Sequence, residues 1–448
     1  MARSFTAGTL KLDAGVAWLG LRAYFLDDGD ARRYDAYCQA ALGRPYLRYF
    51  VRTAEAWRES FRAGVEQDAD APEWTTAPAG PPLAPYRDYL VEYPPGFFLW
   101  AMPAALLSPT PDAFRLVFGL FMGLLLTLGV WLAVRLEKTL PPSGLEPARL
   151  VGWAALGALA MGTIGERRYD ASIALLITLA LWAAFTRRGA LAGVAIGLAV
   201  GSKLIPGLAA PVLALYYASE RRWRELATCT GVAVAVAAAT LLPLALAGPA
   251  ALDVLRYHLE RPLQVESIYG ALLGLGRLFA PESARVVSSY GSANVLGSLD
   301  AIARLATPLT LAALSGVYLL TWRRLARATD DATRRLVAVQ GTAASLAAFM
   351  AFGKVFSPQY LVWLFPLGLV LGARSGKRAA AALLALYGLT QLIFPALYPL
   401  VMQLLPWTSA LVLARDVGLV AWTARVALRP VPPAATAAAP WPAPREAA

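Results

Sequence analysis

Six short stretches of the sequence gather residue types that can move a proton or hold an anion. The first is Leu26-Asp27-Asp28-Gly29-Asp30-Ala31-Arg32-Arg33-Tyr34, with three carboxylates in four residues. Such a group can supply a general base or hold a divalent cation, and it can equally be a solvated turn at a membrane boundary. The second, Tyr86 to Phe97, carries Asp88 and Glu92 among tyrosines ahead of Pro94-Pro95. The third, Gly165-Glu166-Arg167-Arg168-Tyr169-Asp170, places two cations and two anions in one turn, an arrangement suited to internal ion pairs or a phosphate. The fourth is Lys203 in Gly201-Ser202-Lys203-Leu204-Ile205-Pro206, a lysine at a break between apolar runs, either functional or snorkelling. The fifth, Tyr257 to Ser267, holds the chain's one histidine, His258, with Arg261, Gln264 and Glu266. The sixth, Gly353 to Tyr360, contributes Lys354 and Gln359.

The elements that must position these residues are membrane helices. Of 448 residues, 58% are hydrophobic and only 16% charged, and the mean hydropathy is +0.52. A soluble chain of this size needs more polar surface than that. Apolar runs of about 17–25 residues recur, the length that crosses a ~30 Å hydrocarbon layer. Spans are expected at 114–136, 150–165, 171–185, 226–247, 301–322, 336–352, 360–371, 379–398 and 409–427. The stretch 190–217 is too long for one helix. Gly201, Lys203, Pro206 and Gly207 break its middle, which predicts a short helical hairpin. A further span within 6–26 carries Lys11, Asp13 and Arg22, and 94–107 is apolar but short enough to be re-entrant or interfacial. Alternating strand patterns are absent, so helices rather than a barrel must satisfy the backbone. The fold class expected is all-α, a polytopic integral membrane protein of about eleven or twelve transmembrane helices. One membrane domain covers 1–428, with outer loops at 27–112 and 248–300, and the Pro/Ala-rich tail 429–448 is expected to be disordered.

The net charge of +12 does not point to nucleic acid. The basic residues sit in short clusters between apolar runs, the pattern of membrane topology. Arg135 and Lys138, Arg187 and Arg188, Arg221 to Arg224, Arg323 to Arg335, and Arg374 to Arg378 all fall on one side of the path. The positive-inside rule makes that side cytoplasmic. All six chemistry-bearing stretches then fall on the opposite, extracytoplasmic side. Cys38 and Cys229 lie in a loop and a span, and nothing resembles a metal-binding cysteine cluster. No cleavable signal peptide is evident.

Taken in order, these pieces resemble glycosyltransferase family 87, of the GT-C superfamily. The resemblance rests on Asp30 with Tyr34 four residues on, Tyr86–Gly96 (YRDYLVEYPPG), Arg168-Tyr169-Asp170 opening an apolar helix, and Ala192-Gly193 through Lys203-Leu204-Ile205-Pro206. Arg261–Ser267 (RPLQVES) and Lys354–Tyr360 (KVFSPQY) complete it. It implies an inverting enzyme of the cell membrane that moves a sugar, mannose first, from a polyprenyl-phosphate carrier to a lipid or glycan acceptor. Chemistry is expected at the extracytoplasmic face. Asp30 is then the base, with Asp27 and Asp28 as fallbacks. Lys203, Arg168, Arg261 and Lys354 are expected to bind the donor phosphate. Asp88, Glu92, Asp170, His258, Gln264, Glu266 and Gln359 are expected to bind substrate. No cofactor is required; a divalent cation at Asp27, Asp28 and Asp30 is an option. The expected partners are the donor, the acceptor and membrane lipids, with no nucleic acid. The competing class is a lipid or sugar transporter or flippase. Such proteins show repeats and charges deep in several spans, whereas this chain has no evident repeat and its ionisable candidates gather at one face.

Overall fold

A computed structural model describes residues 29–53, 55–56, 75–248, 250–297 and 300–427. The expected first span, Asp27, Asp28 and the 429–448 tail lie outside the described residues.

The described chain opens with α1 (Gly29–Ala41), then the short antiparallel pair β1 (Tyr46–Leu47) and β2 (Thr76–Ala77). The apolar segment after Pro94-Pro95 forms α2 (Phe97–Leu107), too short to cross a bilayer, with Leu106 and Leu107 more than half exposed. There follow α3 (Pro111–Glu137), α4 (Pro147–Met161), α5 (Asp170–Phe185), α6 (Gly189–Ser202), α7 (Ala209–Ser219), α8 (Trp223–Leu246) and α9 (Ala250–Glu260). Next come β3 (Leu263–Gln264), α10 (Ile268–Gly276), β4 (Ala284–Ser289) and β5 (Ser292–Gly297). The chain then runs through α11 (Asp300–Arg327), α12 (Asp331–Phe352), α13 (Tyr360–Arg374), α14 (Lys377–Gln391), α15 (Tyr398–Val401) and α16 (Pro406–Ala427). Among the described residues six helices are long and apolar enough to cross a membrane, and five shorter apolar helices accompany them. The chain is an all-α polytopic membrane protein.

The helices follow from local sequence. Thr110 accepts a hydrogen bond from the Ala113 amide at 3.3 Å, and Pro111 starts α3 where no amide donor is needed. At 27 residues α3 is about 40 Å long, ample for a span. Leu116, Leu120, Leu124 and Leu128, one turn apart, are 41–67% exposed along one face, while Phe114, Phe118 and Met122 on the other are fully buried. A stripe of exposed leucine has its solvent in lipid, not water. In contrast, α5 and α13 are apolar all round and almost wholly buried, so they form the centre of the bundle. Gly193, Gly197 and Gly201 let α6 approach α8 closely. A Cβ on Gly193 would come within 2.5 Å of the Cys229 carbonyl oxygen and one on Gly197 within 2.7 Å of that of Ala233.

The predicted hairpin at 190–217 is present, but its arms splay. Both ends return to one place, since Arg222 donates to the Ala184 carbonyl at 3.0 Å and Arg187 lies 3.7 Å from Glu225. The arms then pack on different partners, α6 on α5 and α8, α7 on α11 and α12. Two expectations need correction. The span expected over 379–398 is one of the six, as Lys377–Ala396, but it kinks within Leu392–Ala396, where Phe394 adopts φ −133° and ψ 123° because Pro395 removes a helical donor and crowds the preceding turn. Strands, absent from the sequence reading, form a three-stranded antiparallel sheet of order β3-β5-β4 within the 248–300 loop. Their burial does not alternate, which hid them. The legible signal was Tyr290-Gly291, both at positive φ in the tight turn between β4 and β5.

Charge separates by end. One end joins Glu220 to Arg334 at 2.5 Å, Glu137 to Arg374, and Asp331 to Arg335. The other end holds the break at Lys203, the starts of α5 and α13, α1 and the sheet.

Candidate active site

The starts and ends of the central helices converge on one cavity of about 970 Å³ at that second end. Its walls include α1, the 92–94 segment, the 163–169 turn, the α6–α7 break, the 257–266 segment, the hairpin of β4 and β5, and the 353–360 loop. Thr307, Thr310 and Leu311 of α11 and the broken helix around Phe394 and Tyr398 complete it.

Asp30 stands in the first turn of α1. Its Oδ2 is 2.5 Å from Arg168 Nε and its Oδ1 is 3.8 Å from Arg33 Nη1. Burial pushes its carboxyl up, but Arg168, Arg33, Lys203 and Arg261 outweigh that and hold it below the usual carboxylate range. It is therefore ionised at neutral pH. One turn on, Tyr34 is buried edge-on against Tyr93, Phe97, Phe118 and Tyr169, with centroids 5.0–5.8 Å away. That aromatic packing fixes the orientation of α1 and hence the place of Asp30. Glu92 ties the second segment to the same helix, taking Arg33 at 2.5 Å and the Tyr37 hydroxyl at 2.6 Å.

Lys203 sits at the helix break with extended backbone, and its Nζ donates to Asp170 Oδ1 at 2.6 Å. Three rings surround the ammonium, those of Tyr169, Tyr360 and Trp363, with centroids 4.9–5.3 Å away. The Trp363 indole also donates to Asp170. Asp170, 1% exposed at the start of α5, is thus a buried anchor below Lys203 rather than part of the cavity wall. Asp88 is the other candidate outside the wall. It accepts from Arg87 at 2.8 Å and from the Ala84 amide at 2.7 Å, where it closes a local turn.

The remaining candidates line the cavity. The Arg261 Nε is buried without a hydrogen-bond partner among the described residues, and the Tyr257 ring lies 6.0 Å from its guanidinium. Lys354 donates to the Leu259 carbonyl at 2.6 Å; burial and Arg261 lower its pKa. His258 donates from Nε2 to the Glu92 carbonyl at 3.2 Å, and burial, then Arg261, lowers it to about 4, so it is neutral at pH 7. Gln264 is engaged within the protein, donating to Glu266 at 3.2 Å and accepting from Ser357 at 3.4 Å. Glu266 is 1% exposed, and burial pushes it up to about 8 despite Arg415. Gln359 lines the wall just before α13.

Arg33 and Arg167 join the cavity wall, and neither was assigned a role from sequence. Their neighbours in the motifs, Asp30 and Arg168, were the available signal. Six cations, Arg33, Arg167, Arg168, Lys203, Arg261 and Lys354, face Asp30, Glu92 and the largely protonated Glu266. A phosphate oxygen 4 Å from one such cation gains about 4 kcal/mol at an effective dielectric of about 20. Arg415 was missed as well, although an ionisable residue within a predicted span is itself a signal. It is fully buried in α16, pairs with Asp416 at 2.9 Å, donates to the Glu266 backbone carbonyl, and stacks 3.9 Å from the Phe356 ring. One guanidinium thereby joins the 261–267 and 354–360 loops from beneath.

A carboxylate held ionised among cations, at one end of a bundle with a lipid-facing surface, can accept a proton while the cations hold an anion. No curated protein matches the chain at a significant level. The sequence model of glycosyltransferase family 87 matches residues 90–358, which takes in the stretches named above except the Asp30–Tyr34 pair, Tyr86–Tyr89 with Asp88, and the last two residues of KVFSPQY. The match covers more than half of the chain, which belongs to glycosyltransferase family 87 and is a membrane glycosyltransferase.

Proposed function

We propose that the enzyme transfers a sugar, mannose first, from a polyprenyl monophosphate to a hydroxyl of a lipid or glycan acceptor, with inversion, at the extracytoplasmic face of the cell membrane. The observation that carries this reading is the pairing of an ionised Asp30 with a surplus of cations in one cavity. Asp30 takes the proton of the acceptor hydroxyl as its oxygen attacks the anomeric carbon. The bond to the phosphate oxygen breaks on the opposite face of the sugar, so a single displacement inverts the configuration. The leaving lipid phosphate gains charge as it departs, and Arg168, Lys203, Arg261 and Lys354 are fixed donors for that charge. The face is supported by the basic residues of the opposite end, which match the cytoplasmic bias of Lys and Arg.

Asp30→Asn keeps size and hydrogen bonding while removing the proton acceptor. Turnover should fall about 10²–10⁴-fold, with donor binding and protein level retained. The assay supplies purified protein with polyprenyl-phosphate mannose and lipid acceptors and follows glycolipid product. Asp88→Asn, outside the cavity, should keep near-normal turnover. Near-normal turnover of Asp30→Asn would remove it as the base.

A further inference from the structure

A second cavity, about 380 Å³ and almost wholly apolar, lies between α11, α12 and α16. It begins near Ala313 and Phe352, just past the wall of the sugar-transfer cavity, and runs to Arg324 and Ala427 at the opposite end of the bundle. Small residues in its walls, among them Gly316, Gly341 and Ala344, leave a trough between helices that otherwise pack closely. The far end of this trough is polar. Arg324 is the charged residue of its lining among the described residues and donates to the Ala427 carbonyl. Gln340, 4% exposed, donates its Nε2 to the Val426 carbonyl at 2.7 Å, which fixes the amide orientation. Its Oε1 is left buried and without a partner among the described residues. Exposed Arg323, Arg327 and Arg425 surround the same end.

A trough that is apolar along its length, closed by an arginine and an unused acceptor, matches a molecule with a hydrocarbon chain, an anionic head and a hydroxyl donor. We propose that this groove binds an anionic phospholipid of the cytoplasmic leaflet, its acyl chain between α11, α12 and α16 and its phosphate at Arg324. Gln340 accepts from a hydroxyl of the headgroup. Charge complementarity selects this occupant: among the described residues the lining contains no acidic residue, and basic pockets between membrane helices on the cytoplasmic side favour anionic headgroups. The inference is independent of which sugar or carrier the enzyme uses.

The test uses full-length protein in nanodiscs of mixed phosphatidylglycerol and phosphatidylcholine, followed by mild extraction and mass spectrometry of retained lipid. Wild type should retain phosphatidylglycerol with about fivefold preference over phosphatidylcholine. Arg324→Gln should lose that preference. Gly316→Phe should lose retained lipid of either kind. A Cβ at Gly316 meets nothing within 4 Å, so the side chain starts in open space at the groove; an unchanged unfolding temperature and continued sugar transfer are the expected controls for a retained fold. Equal retention of both lipids by wild type, or undiminished retention by Gly316→Phe, overturns the proposal. Displacement of the lipid by polyprenyl phosphate, with a raised donor KM in Gly316→Phe, also overturns it, because the groove then holds the donor's own tail.

Discussion

Asp30 and Glu266 are both carboxyls of one cavity, yet their surroundings push them in opposite directions. Four cations keep Asp30 ionised, while burial keeps Glu266 protonated up to about pH 8. Above that pH Glu266 gains a negative charge beside the expected phosphate, which should weaken donor binding. On the proposed function, the donor KM should rise above about pH 8 in wild type and stay flat in Glu266→Gln, which has no proton to lose. An alkaline rise that persists in Glu266→Gln assigns it to another group. The proposed phosphate contacts divide similarly. Lys203→Gln leaves the buried Asp170 without its cation, so it should lower the unfolding temperature as well as donor use. Arg261 has no such anchor to expose. Arg261→Gln should therefore raise the donor KM at unchanged stability, and a normal KM would make this arginine a loop residue only. The candidate residues were legible because their types are unusual beside apolar runs. Their partners were not, since Arg168 and Asp30 are 138 positions apart in the sequence and only folding brings them together.

At the scale of elements, hydropathy located most helices because a span needs a long apolar run whatever packs around it. It did not show the kink at 392–396, where Pro395 interrupts the helical ladder, nor β4 and β5, whose stability lies in pairing rather than alternation. The charged pair in α16 tests how an element supports a site. Arg415→Met leaves Asp416 buried and unpaired, so stability should drop by about 3–5 kcal/mol, read as a lower unfolding temperature. Arg415→Met with Asp416→Leu should recover most of that stability. On this account the double variant still transfers sugar poorly, because nothing then holds the Glu266 carbonyl and the Phe356 face together. Full activity of the double variant would reduce the pair to a packing feature.

For the whole molecule the decisive property is its two unlike ends. Cysteines replacing the exposed Arg87 or Arg285 should react with an impermeant thiol reagent from outside intact cells, and cysteines replacing Arg221 or Arg327 should not. Labelling at Arg221 from outside would reverse the proposed orientation. Membrane class, helix order and the grouping of candidate residues at one end were determined by the sequence alone, because bilayer thickness and charge cost act locally on each segment. Tertiary structure alone decided which carboxylate meets which cation, that Asp170 anchors Lys203 below the wall, and that Arg415 underpins two loops. It also decided that Asp88 stays apart. These depend on distances between segments far apart in the chain, and no local rule of composition or periodicity carries that information.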